Sequence, residues 1–407
     1  MERNIRLYPY FQALRSLYFW QASWFLYFDG VLSAPEAILL NAVLDVAAVV
    51  LEVPSGYLSD AVGRRPTLIV ATLVTTLGCC LLAMGNSFWT FALGQICLGA
   101  GIAFASGTDS ALLYDSLLEV GSQDQVAQQE ARAWRFTYGA LAASAAVGGI
   151  LALSSPRLAY WVTALASFGS FLVVLAFREP GHGTESRRVE LPVGQLLKVF
   201  ERLRDPILLW VFVFMVGGYV FSHVPFLFAQ PYLKEIMDGF AVGQDTPLVM
   251  GFVIAAMMTV SVVASRYGAP LRARLGLART LILASSIEAS LIVAMALIAH
   301  PIVVGLLLLR MVPNALSRPF VLEVIQPRLA SGYRATYLSM QSLVGRLMFA
   351  ASQFLAAWAV VEAGRLDDQV MGQVMPYYAL AAIALVIGLA LTAQRTIGRI
   401  DIKNDTN

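Results

Sequence analysis

The chain alternates between long apolar stretches and short polar ones along almost its whole length. A helix needs about 20 predominantly apolar residues to cross the hydrocarbon core of a bilayer. Twelve stretches reach roughly that length, and only one long polar segment interrupts the series. The predicted spans are 10–29, 36–58, 66–85, 89–117, 133–153, 158–177, 206–229, 247–265, 279–298, 301–325, 335–360 and 375–393.

This pattern predicts an all-α membrane protein with 12 transmembrane helices in two six-helix bundles. The N-terminal bundle covers 1–178, a cytoplasmic linker covers 179–205, and the C-terminal bundle covers 206–407. Loops rich in Lys and Arg stay in the cytoplasm. Of the 28 Lys and Arg residues, twenty lie in the termini, the linker and one set of alternate loops, and three lie in the opposite loops. Both termini are therefore expected in the cytoplasm, with the chain in a bacterial-type inner membrane.

The composition of the chain excludes several classes of protein. Hydrophobic residues make up 58% of the chain and charged residues 13%, with a net charge of +2. Soluble domains carry about 25% charged residues, so a soluble enzyme, a nucleic-acid-binding module and a disordered scaffold are excluded. The three cysteines lie in apolar runs, which argues against a disulfide framework or a metal cluster. The sequence has no P-loop, His-Glu-x-x-His or Gly-x-Ser-x-Gly motif. We therefore expect no enzyme activity, no cofactor and no metal.

The most informative motif follows the second span. It reads Gly56-Tyr-Leu-Ser-Asp60-Ala-Val-Gly63-Arg64-Arg65-Pro66 and resembles the cytoplasmic 2–3 loop of the major facilitator superfamily. Glycines allow a tight turn between helices, and Asp60 is placed to pair with the arginines. In Ala111-Leu-Leu-Tyr-Asp115-Ser-Leu, Asp115 matches the acid that family members pair with the loop's arginine. The predicted gating latch comprises Gly56, Asp60, Gly63, Arg64, Arg65 and Asp115.

Other segments resemble the bacterial drug/proton antiporter-like branch of that family, with departures. Glu52-Val-Pro-Ser-Gly56 leads into the motif as it does there, but Gln95 stands where the branch carries a proton-linked arginine. The fifth span contains Gly148-Gly149 without the expected proline. A second copy of the loop, over 265–276, keeps its basic residues and loses the acid. The resemblance implies transport by alternating access, with proton-coupled export as the expectation.

Ionisable residues inside spans are costly, about 2.5–3.5 kcal/mol each on insertion scales, and normally face a cavity or a partner. In the first half these residues are mainly acidic. We predict a proton-coupling role for Asp29, Asp45, Glu52 and Asp109. The alternative is that Asp45, Glu52 and Asp109 form structural pairs with Arg132 or Arg135.

In the second half the buried charges are mainly basic, which predicts a cavity with an acidic N-terminal wall and a basic C-terminal wall. Arg310 and Arg346 are candidates for binding an anionic group, and hydrogen bonding between helices is their alternative role. His223 suits proton exchange by its chemistry or serves in packing. The predicted substrate-binding residues are Gln21, Arg135, Tyr219, His223, Arg310, Asn314, Arg346 and Gln353.

We therefore predict a monomeric secondary transporter that exports a small amphipathic or anionic organic molecule in exchange for protons. Its partners would be that small molecule, protons and the lipid bilayer, with no nucleic acid. One alternative is proton-linked uptake of an anionic nutrient through the arginine wall. A second alternative, from another class, is a membrane sensor that no longer transports.

Overall fold

The computed structural model describes residues 1–181, 202–325, 328–329, 331–361 and 368–398, and all regular structure in them is helical. The side chains of Val53, Asp60, Ala127, Pro319, 331–336 and 368–370 lie outside this description, as does most of the predicted linker. The first eight helices are α1 (Glu2–Arg15), α2 (Trp24–Asp29), α3 (Ala34–Val62), α4 (Arg64–Met84), α5 (Phe88–Ala105), α6 (Thr108–Glu119), α7 (Val126–Ser154) and α8 (Pro156–Ala176).

The later helices are α9 (Pro206–Asp238), α10 (Thr246–Ser265), α11 (Gly268–Leu275), α12 (Leu277–Leu297), α13 (Ile302–Leu307), α14 (Val312–Ile325), α15 (Ser331–Val360) and α16 (Asp368–Thr396). In the described residues, 11 segments are long and apolar enough to cross a membrane. The prediction of an all-helical membrane fold is confirmed, and the count of twelve spans stays a prediction.

The first predicted span is not one continuous helix. Residues 16–23, which include a short 3-10 turn, separate α1 from α2. Neighbouring helices satisfy polar groups at this break. The Phe19 N–H donates to Thr163 Oγ1 at 3.1 Å, and the Gln21 amide donates to the Leu141 carbonyl at 2.9 Å and to Ser144 Oγ at 3.2 Å. Polar groups at membrane depth need such partners. A search for about 20 consecutive apolar residues could not detect the break, because residues 16–23 are themselves largely apolar and aromatic.

Two further spans contain breaks. The predicted span 89–117 consists of α5 and α6, which meet at Gly107 with a φ of 74°. The left-handed region is easily reached only by glycine, so this residue redirects the chain. The predicted span 301–325 consists of α13 and α14, separated by four residues. Arg310 lies in that separation.

Contacts divide the chain into two compact units. The first comprises Met1–Val189 with Gln244–Ala255, and the second comprises Glu190–Gly243 with Ala256–Asn407. In the first unit, α4 packs against α5 and α8, and α3 packs against α5. A Cβ on Gly99 would lie 2.6 Å from the Leu44 carbonyl of α3, so glycine permits the close approach of α3 and α5. One apolar cluster of this unit is built around Tyr8, Phe11 and Leu68.

The second unit buries its own core. Helix α12 packs against α16, α14 and α9, and α9 packs against α15. Its apolar cluster includes Trp210, Phe214 and Tyr337. The Trp210 indole N–H donates to the Leu389 carbonyl at 3.2 Å, which ties α9 to α16. The space enclosed by α9, α12, α14 and α15 holds the cavity described below.

Candidate functional site: a charged helix junction and a polar cavity

The predicted latch lies where α3 ends and α4 begins. Gly63 separates the two helices with a φ of 117°, a conformation that L side chains rarely adopt. The Arg64 Nε lies 3.5 Å from Asp115 Oδ2 on α6, and the Arg64 Nη1 donates to Ser59 Oγ at 2.8 Å. The structure therefore brings together Arg64 and Asp115 of the predicted set. The Asp60 side chain lies outside the described side chains, and its role in the latch stays a prediction.

Glu179 completes this junction, and sequence reasoning did not identify it. Its carboxylate accepts the backbone N–H of Arg64 and of Arg65, each at 2.7 Å. These are the first two residues of α4, whose N–H groups have no partner within the helix. A negative charge is also favoured at this end of the helix dipole. A Cβ on Gly63 would lie 2.6 Å from Glu179 Oε1, so a side chain here would displace the carboxylate, and the φ of 117° is what requires glycine.

The second unit repeats the arrangement with different residues. Gly276, with a φ of 78°, separates α11 from α12. The Arg272 guanidinium forms an ion pair with Glu323 on α14 and lies over the Phe320 ring at 5.0 Å. The sequence showed the arginines of this second loop without an acid. Glu323 on α14 supplies the acid here, as Asp115 on α6 does in the first unit. No motif in the sequence pointed to Glu323.

The four predicted proton-coupling acids occupy different surroundings. Asp109 Oδ2 lies 2.6 Å from Arg15 Nη1 and accepts from Gln12 Nε2 at 2.8 Å. The pairing alternative named Arg132 or Arg135 for this acid, and the structure provides Arg15 on α1 instead. Asp45 is buried on α3 and lies 3.5 Å from the Asn41 amide nitrogen. The other two, Asp29 on α2 and Glu52 on α3, are partly buried.

A cavity of about 510 Å³ lies within the second unit. Four predicted substrate-binding residues line it, namely Tyr219, His223, Asn314 and Arg346. The other two predicted residues of this unit are not part of the lining: Arg310 donates from Nη1 to the Ser222 carbonyl at 2.9 Å, and Gln353 is fully buried on α15. The two candidates of the first unit lie elsewhere. Gln21 holds the break before α2, and Arg135 is an exposed residue of α7.

Stacked rings form one wall of the cavity. The Tyr219 and His223 ring centroids are 4.1 Å apart, and Arg346 lies over the Tyr219 ring at 5.7 Å. The His223 Nδ1 lies 2.6 Å from the Tyr219 carbonyl, which requires a proton on that nitrogen. The backbone of α15 lies close to this wall at Gly345, where a Cβ would be 3.0 Å from Tyr219 Cβ.

The lining of the cavity also contains polar groups to which sequence reasoning gave no binding role. Glu288 on α12, Arg318 on α14 and Gln341 on α15 all belong to it. Gln341 is 4% exposed, and its amide oxygen has no hydrogen-bond partner among the described residues. Apolar residues such as Phe214 and Leu338 fill the remaining lining. An apolar pocket with a few convergent polar groups is the usual form of a small-molecule site.

Comparisons with known proteins agree with this architecture. Residues 16–353 match the family model described as the Major Facilitator Superfamily. The tetracycline resistance protein, class D, of Salmonella ordonez is 30% identical over 196 residues, which are 46% of this chain and 47% of that protein. The class B protein of Escherichia coli is 28% identical over 144 residues, 34% of this chain and 33% of that protein. The matched region thus spans about half the length of these relatives or less.

Solved structures share the fold at low sequence identity. The nucleoside transporter NupG superimposes with a TM-score of 0.72 at 13% identity, covering 95% of this chain and 98% of that one. A D-xylose-proton symporter gives 0.69 at 14% identity, covering 94% and 96%. At such identities the likeness shows the fold alone.

Proposed function

This chain belongs to the Major Facilitator Superfamily of transporters, and from that premise we propose that it exports a small amphipathic or anionic organic molecule in exchange for protons. The observation that carries the proposal is the cavity of the second unit, in which arginine, glutamate and amide groups share a lining with aromatic and aliphatic side chains. Those groups suit an organic molecule with an apolar body and charged substituents.

Export is favoured by the resemblance to the drug-antiporter-like branch. Two proteins that carry tetracycline resistance in their names match parts of the chain, and resistance to a toxic compound is consistent with its removal. A proton gradient is the energy source that we propose. One charge that crosses 100 mV is worth about 2.3 kcal/mol, so exchange for a single proton supports considerable accumulation.

In the proposed cycle, two six-helix bundles over 1–178 and 206–407 expose a site alternately to the two sides of the membrane. The pair Arg64–Asp115 stabilises one of the two states and separates in the other. We propose that Gly56, Asp60, Gly63 and Arg65 contribute to the same latch. The transporter would act as a monomer in a bacterial-type inner membrane, with both termini in the cytoplasm.

Uptake of an anionic nutrient together with protons is the second candidate. The observation that favours it is the presence of two arginines, Arg318 and Arg346, in the lining of one cavity. Both candidates use the same cavity, but they differ in the direction that the proton takes relative to the substrate.

Flux measurements on purified protein in proteoliposomes test the proposal. Tetracycline and a panel of aromatic organic acids would be loaded, and a pH gradient of either sign imposed. Exchange predicts that substrate moves against the proton flow, and a protonophore abolishes the movement. Movement of substrate and protons in the same direction would support uptake.

The variant Asp115→Asn tests the latch in the same assay. We expect slower turnover with little change in substrate affinity, and unchanged turnover would contradict the latch.

A further inference from the structure

The amide of Gln341 on α15 has unsatisfied hydrogen-bonding groups. Gln341 is 4% exposed and belongs to the lining of the cavity. Among the described residues, neither its amide oxygen nor its amide nitrogen has a partner at hydrogen-bond geometry. Tyr337, one turn earlier on the helix, lies near the amide, but its hydroxyl donates its single proton to the Leu208 carbonyl. The Gln341 oxygen is therefore left without a donor.

The apolar surroundings of this amide make its unsatisfied state costly. Tyr337 and Met340 belong to the apolar cluster of the second unit, and Leu338 packs against that cluster. Phe214 and Val321 belong both to the cluster and to the lining of the cavity. A buried polar group without a partner lowers stability, whereas a hydrogen bond formed in such surroundings is stronger than in water. Departures of this kind from good packing are expected at functional sites.

Arg346, the charged residue of α15 in the lining, lies at a different level from Gln341. Leu338, Gln341, Ser342 and Arg346 recur at intervals of one to four residues and line the same cavity. With a rise of about 1.5 Å per residue, Gln341 and Arg346 are separated by about 7.5 Å along the helix axis. A ligand that contacts Arg346 with an anionic group therefore meets Gln341 with another part of its structure.

The chemistry of the amide selects the group that would meet it. Glutamine offers one acceptor oxygen and two N–H donors in one plane. A carboxylate or a lone carbonyl satisfies only the donors, and an ammonium group satisfies only the oxygen. A neutral carboxamide, lactam or imide carries an N–H beside a C=O and satisfies both at once. The hydroxyls of Ser317 and Ser342 in the same lining can donate as well as accept, which suits the remaining atoms of such a group.

We propose that Gln341 recognises a carboxamide, lactam or imide group on the transported substrate through paired hydrogen bonds to its amide. This inference rests on the proposed function and names a specificity-determining residue and a substrate class. The apolar part of the lining receives the body of the substrate, and Arg346 contacts an acidic substituent where the substrate has one. A site built to hydrogen-bond its ligand rejects analogues that lack the group far more strongly than an apolar pocket does.

Two neutral ligands of nearly equal shape test the recognised group. Indole-3-acetamide carries an N–H beside a C=O, and indol-3-ylacetone replaces its NH₂ group with a methyl group. Because the amide loses more hydration than the ketone in an apolar site, the ketone binds better wherever the amide finds no partner. Isothermal titration of the full-length, detergent-solubilised protein, with empty micelles as the blank, measures both affinities. We expect the amide to bind about tenfold more tightly or better, and equal affinity or a preference for the ketone overturns the proposal.

The variant Gln341→Leu removes the amide and keeps most of the side-chain volume. It should lose affinity for indole-3-acetamide and not for indol-3-ylacetone. Its unfolding temperature without ligand should equal or exceed that of the wild type, because an unsatisfied buried amide has been removed. Met340→Leu, next to it on the helix and outside the described lining, is the matched control and should keep the preference for the amide.

Two results with Gln341→Leu overturn the proposal. A preference for the amide that persists in this variant places the recognition elsewhere. A lower unfolding temperature, or failure to fold, assigns the Gln341 amide a structural role.

Binding and flux separate this inference from the proposed function. An amide preference that depends on Gln341, without any proton-driven flux, supports the recognition site and rejects proton-coupled export. Proton-driven flux together with equal affinity for the amide and the ketone rejects this inference and leaves the proposed function in place.

Discussion

A carboxylate inside a membrane span is tolerated when a cation neutralises it, when a proton does, or when water reaches it. The structure separates the partly buried Asp109 from the buried Glu288 on this criterion. Asp109 Oδ2 lies 2.6 Å from Arg15 Nη1. Glu288, by contrast, lines a cavity and forms no ion pair with any of the described residues. The Asp109 contacts favour a structural role over the predicted proton-coupling role. Its participation in proton transfer nevertheless remains a separate, testable prediction.

The pair Arg15–Asp109 is expected to stabilise the first unit. Asp109→Asn removes the ionised partner of a partly buried guanidinium. Hydrogen bonds to charged groups contribute about 1.5–3 kcal/mol to stability. We expect the free energy of unfolding to fall by an amount in that range. Thermal unfolding in detergent, followed by tryptophan fluorescence, measures it. The double variant Arg15→Gln/Asp109→Asn should recover part of the loss. Additive losses in the double-mutant cycle would show that the two residues do not depend on each other.

The two arginines predicted to bind an anionic group should respond differently to substitution. Arg346 lines the cavity over Tyr219, so Arg346→Gln should weaken anionic ligands more than neutral ones. Arg310 donates to the Ser222 carbonyl, so Arg310→Gln should mainly lower stability, by about 1–3 kcal/mol for an unsatisfied buried group. Isothermal titration with matched anionic and neutral ligands, together with unfolding curves, separates the effects. An equal loss for both ligand types in Arg346→Gln would assign it a structural role.

At the scale of helices, breaks and close approaches rather than helix lengths determine the architecture. The first stretch is interrupted at 16–23, and α7 accepts the interrupted backbone because Gly148 has no side chain. A Cβ on Gly148 would collide with the Phe19 carbonyl. Gly148, the first glycine of the pair in the fifth span, thus has a specific structural reason, even though the expected proline is missing.

Gly148→Ala should therefore destabilise the protein, since the added methyl group meets backbone rather than a movable side chain. Overpacking costs typically about 1–3 kcal/mol, and we expect the upper part of that range. Gly139→Ala is the matched control on the same helix, because nothing lies within 4 Å of its Cβ position. It should be neutral or stabilising by up to about 1 kcal/mol. Similar unfolding temperatures for the two variants would contradict the contact with Phe19.

The sequence allowed prediction of features that depend on local pattern. Apolar length predicts the long helices. The family resemblance, rather than a local pattern, predicted that Arg64 and Asp115 pair, and the two residues do lie together. Features that join residues far apart in the chain and belong to no recognised motif were not accessible. Glu179 reaches α4 across 115 positions, and Glu323 reaches Arg272 across 51. The cavity could be predicted in part, since its residues occur as stripes on helices. The packing of the helices decides which stripes face one another. It also decides which arginine donates to a backbone carbonyl, as Arg310 does to Ser222.

At the scale of the whole molecule, the topology depends on whether the first stretch crosses the membrane. Its α1 and α2 are each too short to span a bilayer alone, yet together with the turn at 19–22 they reach sufficient length. The charge distribution argues for a crossing, because Lys and Arg are concentrated on one side only if the number of spans is even. If only the eleven continuous segments crossed the membrane, the number of crossings would be odd and the two termini would lie on opposite faces.

Single-cysteine labelling distinguishes the two topologies. In a background with Cys79, Cys80 and Cys97 replaced, Glu2→Cys and Val31→Cys would be exposed to a membrane-impermeant maleimide in intact cells and in opened membranes. Both positions are exposed in the structure. If the stretch crosses, Val31→Cys reacts in intact cells, whereas Glu2→Cys reacts only after opening. Asp124→Cys, in the exposed turn between α6 and α7, is the control for the cytoplasmic face. Reaction of both test positions from the same face would show that the stretch does not cross, and the arrangement in two six-helix bundles would then be wrong.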